Sequence, residues 1–392
     1  LAEKIEIGAK LKVMNEIPGW EWVTQPTLML SAAIAKGNIR QMADKAQRLG
    51  LQFRPHFKTI QSAELAEWFR DVGVQKITVS SIEMATYFAD NGWNDITVAF
   101  PVNVRAMAAL NDLASRISLG ILISDVSALP KLAAGLQHPV RAWIEVDTGY
   151  GRSGLPWDDA PALAAAAHAI AQVSQLSFAG ILGHGGYTYN SHGLHEILAA
   201  HEKDIQRLAT AKSALVAAGF KDFEASTGDT PGCSRAENFE GVDEIRPGNF
   251  VFYDIQQQQI GSCGFEQIAV ALACPVVAVY PERNEAIIHG GGVHLGKDVL
   301  PRTAYGAIYG AIALPKPGGW EMPEMGCYVR SISQEHGVAV LRQDMIANIE
   351  VGDLLLVLPV HSCMAADLME RYHLIDSDDP QKPVLMMKSS KR

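Results

Sequence analysis

Cysteine is scarce in this 392-residue chain: Cys233, Cys263, Cys274, Cys327 and Cys363 are five, odd in number and widely spaced. That excludes a disulfide framework and makes a reducing cytoplasm the expected compartment. Charge is sparse too, at 19% of residues, and unbalanced, with 33 Lys and Arg against 43 Asp and Glu. The net charge of −10 argues against a polyanion as main partner. Apart from the short tail of Lys388, Lys391 and Arg392, no basic run offers a nucleic-acid or membrane patch. No apolar stretch approaches the ~18 residues of a membrane-spanning helix. Leu1–Gly19 lacks the apolar core of a signal peptide. Repeats with a period of ~20–50 residues are missing as well. What is plentiful is apolar residues, 48% of the chain, enough for a large core and incompatible with global disorder.

The length, more than twice the ~150 residues of an average domain, predicts two domains or a barrel with an appendage. From about residue 27 to 255, β-rich runs alternate with helical stretches. The runs are Thr27–Leu30, Gln52–Phe57, Ile77–Ser81, Ile96–Phe100, Leu119–Ile123, Ala142–Asp147, Phe178–His184, Phe223–Thr227 and Glu244–Pro247. Between them Ser31–Leu49 and Leu194–Ala217 carry apolar residues at helical spacing. Such alternation means a parallel α/β sheet, and eight of the runs would close a (β/α)8 TIM-type barrel, with one run surplus. A doubly wound open sheet is the alternative. After about Gly264 short strands separated by Gly and Pro turns predict a C-terminal β-domain of roughly 120 residues. Gln256–Gln259 reads as an exposed connector.

In a parallel barrel the active site lies at the carboxyl ends of the strands. Polar residues there include His56 and Lys58, Ser80, Ser81 and Glu83, Asp147, Arg152, His184, Tyr189, Thr227, Asp229, Thr230, Gly248 and Asn249. This is a donor-rich set suited to a phosphate-bearing cofactor. Gly149-Tyr-Gly151-Arg-Ser-Gly154 matches the dinucleotide fingerprint, which needs a helix opening inside the motif. Here Leu155-Pro156-Trp157 intervene and the helix is expected near Asp158, so a glycine-rich turn explains the spacing better. Lys58 ends a barrel strand: buried with a depressed pKa it would suit Schiff-base chemistry, and otherwise it is a surface lysine in a β-α loop. His361 and Cys363, two apart after an apolar strand, would face the same way on an extended backbone and could grip one ion, zinc first. His289 and His294 flank Gly290–Gly292, read as a bulged turn, and Ser333–Gly337 reads as a strand connector. His168 and His201 lie in helical stretches, facing solvent or packing.

Together these motifs resemble a known family. Arg-Pro-His-Phe-Lys-Thr at 54–59, Asp147-Thr-Gly-Tyr-Gly-Arg152, Thr227-Gly-Asp-Thr230-Pro231, Arg246-Pro-Gly-Asn-Phe-Val-Phe-Tyr-Asp254, Ser333-Gln-Glu-His-Gly337 and His361-Ser-Cys363 stand in family order. The family is the D-threonine aldolase and D-serine dehydratase group, on the pyridoxal-phosphate fold shared with alanine racemase. The resemblance covers about residues 25–370. It implies pyridoxal 5'-phosphate on Lys58 and a divalent metal on His361 and Cys363, zinc first and manganese or magnesium as alternatives. Cofactor contacts carried over are Arg152, Tyr189, Thr227, Thr230, Gly248, Asn249 and Tyr253; His184 and His56 are implied as acid-base groups. It assigns 25–260 to the barrel and 1–24 with 261–380 to the β-domain, and it sends the surplus strand Thr27–Leu30 to the β-domain. The chain departs from the family pattern at Ile60-Gln61, Leu182 and Val360.

What the resemblance implies is a lyase acting on a D-3-hydroxy amino acid. Lys58 would remove the Cα proton, and the metal would act on the β-oxygen. Family dehydratases carry cysteine at the second metal position and aldolases a carboxylate, so Cys363 favours dehydration of D-serine or D-3-hydroxyaspartate over aldolase-type Cα–Cβ cleavage. A racemase, which needs a second acid-base group opposite Lys58, and a non-catalytic pyridoxal-phosphate carrier are the further alternatives. A homodimer is expected from the fold relatives.

Overall fold

The computed structural model describes residues 20–388. The described chain splits into two compact units, one made of Ile39–Phe250 and Ile260–Ser262, the other of 20–38, Val251–Gln259 and 263–388. The first nineteen residues, expected with the β-domain, lie outside the described residues.

The surplus strand resolves at once. β1 (Thr27–Leu30) pairs antiparallel with Val270–Ala273 and parallel with His373 and Leu374, so it is a strand of the β-unit. Residues 25–38 and 251–259 therefore cluster with the β-unit, not with the barrel as the boundaries 25–260 would have it. Backbone pairing, which composition does not report, decides their membership.

Eight parallel strands build the other unit: β2 (Gln52–Phe53), β3 (Lys76–Val79), β4 (Asp95–Pro101), β5 (Ser118–Ile123), β6 (Val140–Asp147), β7 (Leu176–Gly183), β8 (Glu224–Thr227) and β9 (Glu244–Ile245). Their order is β2-β9-β8-β7-β6-β5-β4-β3, and a parallel bridge from His56 to Thr78 brings the two ends together. The outcome is a nearly closed barrel rather than an open sheet. Helices α1 (Ala32–Arg48), α2 (Ala63–Arg70), α3 (Ile82–Asp90), α4 (Met107–Arg116), α5 (Leu129–Gly135), α6 (Ala160–Ala171), α7 (Leu194–Ala217) and α8 (Thr230–Arg235) alternate with the strands. Inside the barrel, Leu122, Trp143 and Leu182 pack as a buried cluster. Leu182 thus fills core where the family pattern has a tyrosine.

In the β-unit β10 (Val270–Tyr280), β11 (Glu285–His289), β12 (Gly310–Ala313), β13 (Tyr328–Ile332), β14 (His336–Val340) and β15 (Leu354–Pro359) follow, with β16 (Arg371–Leu374) and β17 (Pro383–Leu385) beyond β1. The long β10 pairs with β15 through Leu272–Pro275 and with β11 through Val276–Tyr280, so six strands close on one another. Gln256–Gln259 is no exposed connector: it lies in helix α9 (Ile255–Ile260), started by the Asp254 carboxylate accepting the Gln257 backbone N–H at 2.9 Å, and Gln257 is buried. Two further short helices, α10 (Gly292–Leu295) and α11 (Ser362–Met369), bear on function below.

Candidate active site

The carboxyl ends of β2, β9, β8 and β7 are neighbours in the barrel. Immediately beyond them come His56 and Lys58, then Arg246 and Gly248, then Gly228 to Thr230, then His184. His184 donates from Nδ1 to the Gly228 carbonyl at 2.7 Å, which leaves Nε2 as the lone-pair nitrogen. Burial first, then repulsion from Arg152, Lys58 and Arg246, pushes its pKa down to about 3 despite that hydrogen bond. His56 is driven the same way, well below an ordinary histidine, by burial and by Lys58, Arg246, His184 and Arg152. Both rings are neutral at physiological pH. Lys58 itself is exposed at this end rather than buried.

The Gly149–Gly154 turn holds Arg152 at this end. Asp147 accepts the backbone N–H groups of Gly149 at 2.8 Å and Gly151 at 3.0 Å, and Gly154 at φ 102° comes so near that a Cβ would meet the Glu145 carbonyl at 2.8 Å. No helix opens in the motif: α6 starts at Ala160, behind the Asp159 cap, which removes the dinucleotide reading. Arg152 is exposed, 5.7 Å from the Tyr150 ring centroid.

Thr230, at the start of α8, is fully buried, and its hydroxyl oxygen has no hydrogen-bond partner among the described residues. Its backbone N–H donates to the Tyr189 hydroxyl at 3.2 Å. Beside it Gly248 lies so close to His56 that a Cβ would meet the His56 carbonyl at 3.1 Å. An orphaned hydroxyl, backbone bared by glycine and a cationic surround of Lys58, Arg152 and Arg246 fit the phosphate of pyridoxal phosphate. The Thr227 hydroxyl donates to Asp204 at 2.8 Å. Asn249 is buried in the turn that follows β9, and Tyr253 is a buried residue of the β-unit in the left-handed region, at φ 47°.

Beneath this site lies a polar network that motif reading missed. Asp204 accepts hydrogen bonds from Thr148 and Thr227, and Asp229 accepts from Thr188 at 2.8 Å and the Gly232 N–H at 2.6 Å. Burial pushes the Asp229 carboxyl up to about 6 against His201 and those donors. His201 donates from Nε2 to the Asn238 carbonyl at 2.7 Å and is buried, not solvent-facing. The signal was present: on α7, Ile197, His201, Asp204, Ile205, Leu208, Ala211 and Leu215 share one buried stripe, so two polar residues stand where the period demands apolar ones.

The β-unit holds the pair His361 and Cys363. Their geometry differs from the extended strand expected: His361 caps α11 in an extended conformation (φ −133°, ψ 102°), and Cys363 is already helical. The strand-to-helix turn, not a two-residue alternation, brings the thiol near enough to the imidazole to raise its pKa. Burial opposes charge on His361, yet Asp298, Cys363 and Asp254 push its pKa up to about 11. Asp298 Oδ1 is 3.8 Å from His361 Nδ1, and Asp254 receives the Ser362 N–H at 3.0 Å. An imidazole, a thiol and a nearby carboxylate are a donor set for a borderline divalent cation, so the residues fit the implied metal.

Comparison with known proteins agrees with this layout. Residues 31–255 match the family model described as alanine racemase, N-terminal domain, and residues 269–375 match that described as putative serine dehydratase domain. D-threo-3-hydroxyaspartate dehydratase of Delftia sp. (strain HT23) is 28% identical over 363 residues, 90% of this chain and 94% of that protein. D-serine dehydratase of Dictyostelium discoideum is 24% identical over 389 residues, 90% of this chain and 94% of that protein. A solved structure of the D-threo-3-hydroxyaspartate dehydratase, a cysteine-to-alanine variant in the metal-free form, superposes with a TM-score of 0.87 at 26% identity, covering 94% of this chain and 99% of that one. With more than half of its length inside the first of those models, and an alternating barrel followed by a strand-rich unit, the chain belongs to the alanine racemase N-terminal domain family.

Proposed function

We propose that this chain is a pyridoxal-phosphate-dependent lyase of D-3-hydroxy amino acids, dehydrating D-threo-3-hydroxyaspartate or D-serine to a keto acid and ammonia. The observation that carries the reading is a histidine paired with a thiol, His361 with Cys363, in a chain whose other unit presents Lys58 among His56, His184 and Arg152. Relatives bearing these reactions in their names support it. When bound, pyridoxal phosphate supplies an electron sink for charge developing at Cα, and a divalent cation, zinc first, a Lewis acid at the β-oxygen.

The chain's own groups then have definite tasks. Lys58 Nζ would anchor the cofactor and, once released, take the Cα proton. Thr230 Oγ1 and the backbone at Gly248 and Asn249 would hold the phosphate, with Arg152 adding charge. His184, its Nδ1–H fixed on the Gly228 carbonyl, offers Nε2 as a hydrogen-bond acceptor. Kept neutral, it and His56 add no further positive charge beside Lys58. His361 and Cys363 would hold the cation. A cytoplasmic homodimer is part of the same reading, by analogy of fold.

The test is product analysis on protein loaded with cofactor and metal, using D-threo-3-hydroxyaspartate, D-serine and D-threonine. Keto acid and ammonia are expected. Glycine with an aldehyde instead would make the chain an aldolase, and racemised substrate would make it a racemase.

A further inference from the structure

We propose that His289, His294 and Glu335 form a second divalent-cation site in the β-unit, suited to zinc, with one coordination position left open to water or an oxygen ligand. The three residues come from separate segments: His289 ends β11, His294 lies in α10, and Glu335 sits in the turn between β13 and β14. One ligand atom from each falls within 4.8 Å of the other two.

Backbone pairing builds the site. β11 runs antiparallel to β14 with His289 opposite His336, which returns the hairpin turn to the end of β11. The glycines after His289 are then stitched to that turn: Gly290 N–H donates to Glu335 O at 2.9 Å and Gly292 N–H to Ser333 O at 2.7 Å. A Cβ on Gly291 would meet Gln334 O at 2.4 Å, so only glycine permits this approach. The segment read as a bulged turn is thus a rigid platform for two imidazoles and a carboxylate.

The distances speak for a cation rather than for hydrogen bonds. Glu335 Oε2 lies 3.4 Å from His289 Nε2 and 3.6 Å from His294 Nε2, long for two donors converging on one oxygen. Zinc–ligand bonds of about 2.0–2.2 Å at tetrahedral angles put neighbouring ligand atoms about 3.3–3.6 Å apart. The imidazole rings stand nearly perpendicular, 85° between planes with centroids 5.5 Å apart, so they do not stack on one another. His294 Nδ1 accepts from Gly291 N–H at 3.2 Å, so a cation at Nε2 moves the ring hydrogen to Nδ1 and displaces that long contact.

The site shares no ligand with His361 and Cys363, and one experiment separates the two. Untagged protein, stripped with a chelator and dialysed against micromolar Zn²⁺, is assayed for bound zinc per chain, with Co²⁺ absorption reporting coordination. Two ions per chain are expected for the parent, one for His294→Asn, one for the turn variant Glu335→Gln and one for His361→Ala. Each variant's far-ultraviolet circular dichroism checks its fold. If the parent binds no more zinc than His294→Asn and Glu335→Gln do, the second site does not exist. If those two each lose an ion while His361→Ala loses none, the second site stands and the metal pair of the proposed function falls.

Discussion

The two ends of the barrel handle charge in opposite ways. Toward the amino ends of β4, β6 and β9, fully buried Arg54 meets Glu244 at 2.5 Å and Asp95 at 2.6 Å, and Asp95 also receives Arg141. Arg54 and Arg141 there each have a carboxylate partner of the protein's own. At the carboxyl end Lys58, Arg152 and Arg246 instead crowd two imidazoles and repel their protonation. Among the described residues Arg246 bonds neutral oxygens there, Ser226 Oγ at 2.7 Å, Gly183 O at 2.5 Å and Ser226 O at 3.3 Å. A barrel that pairs its arginines at one end, and at the other leaves Lys58, Arg152 and Arg246 without a carboxylate ion pair among the described residues, separates stability from binding along the same strands. An anionic cofactor suits the cationic end.

The sharpest way to break this comparison is Lys58→Ala. Losing nucleophile and base together should lower kcat by about 10³-fold or more and abolish the absorbance of bound cofactor, with little change in unfolding free energy. Next in size is Arg54→Met at the paired end. It leaves Glu244 and Asp95 without their buried partner and should cost about 3–5 kcal/mol in urea unfolding, while kcat of the folded fraction stays near the parent value. Were Arg54→Met to spare stability and abolish activity, the division of labour between the ends would be wrong.

Much of this was legible beforehand, and the illegible part has a common cause. Strand runs such as Ile96–Phe100 and Leu119–Ile123 declare themselves because a buried parallel strand must be apolar on both faces, and β4 and β5 contain them. Leu194–Ala217 was readable to the residue from its period. The Gln256–Gln259 helix escaped because its start is a single cap at Asp254. Lys58, His184 and Thr230 could be picked by their place after strands. Arg246 stood in a quoted motif yet was given no role, since its buried bonds depend on β8 and β7 lying beside it. His289, His294 and Glu335 meet only through the β11–β14 register, which no local pattern encodes.

A smaller effect concerns pH. His184 has a folded pKa of about 3 against about 6.5 unfolded. Between those values the unfolded chain binds more protons, so the stability that neutral His184 allows is complete above pH ~6.5 and is lost as pH falls toward 3. His56 contributes with the same sign. Urea unfolding at pH 7 and pH 5 should show a loss approaching ~1.4 kcal/mol per unit below pH 6.5 for each ring. His184→Asn should remove one such increment of slope, and an unchanged slope would mean that the ring is protonated in the folded protein.

The mildest change is Thr230→Val. Valine matches threonine in shape and deletes only the hydroxyl that has no partner within the described residues. A buried, unbonded hydroxyl contributes nothing to the fold, so thermal unfolding of the cofactor-free protein should hold or rise slightly. A hydrogen bond to a charged oxygen is worth about 1.5 kcal/mol or more, so pyridoxal-phosphate affinity, titrated by absorbance, should fall at least about tenfold. Pyridoxal lacking the phosphate should bind parent and variant alike. Equal weakening of both ligands would place Thr230 at the ring rather than at the phosphate, and with it the orientation of the cofactor relative to Lys58 would reverse.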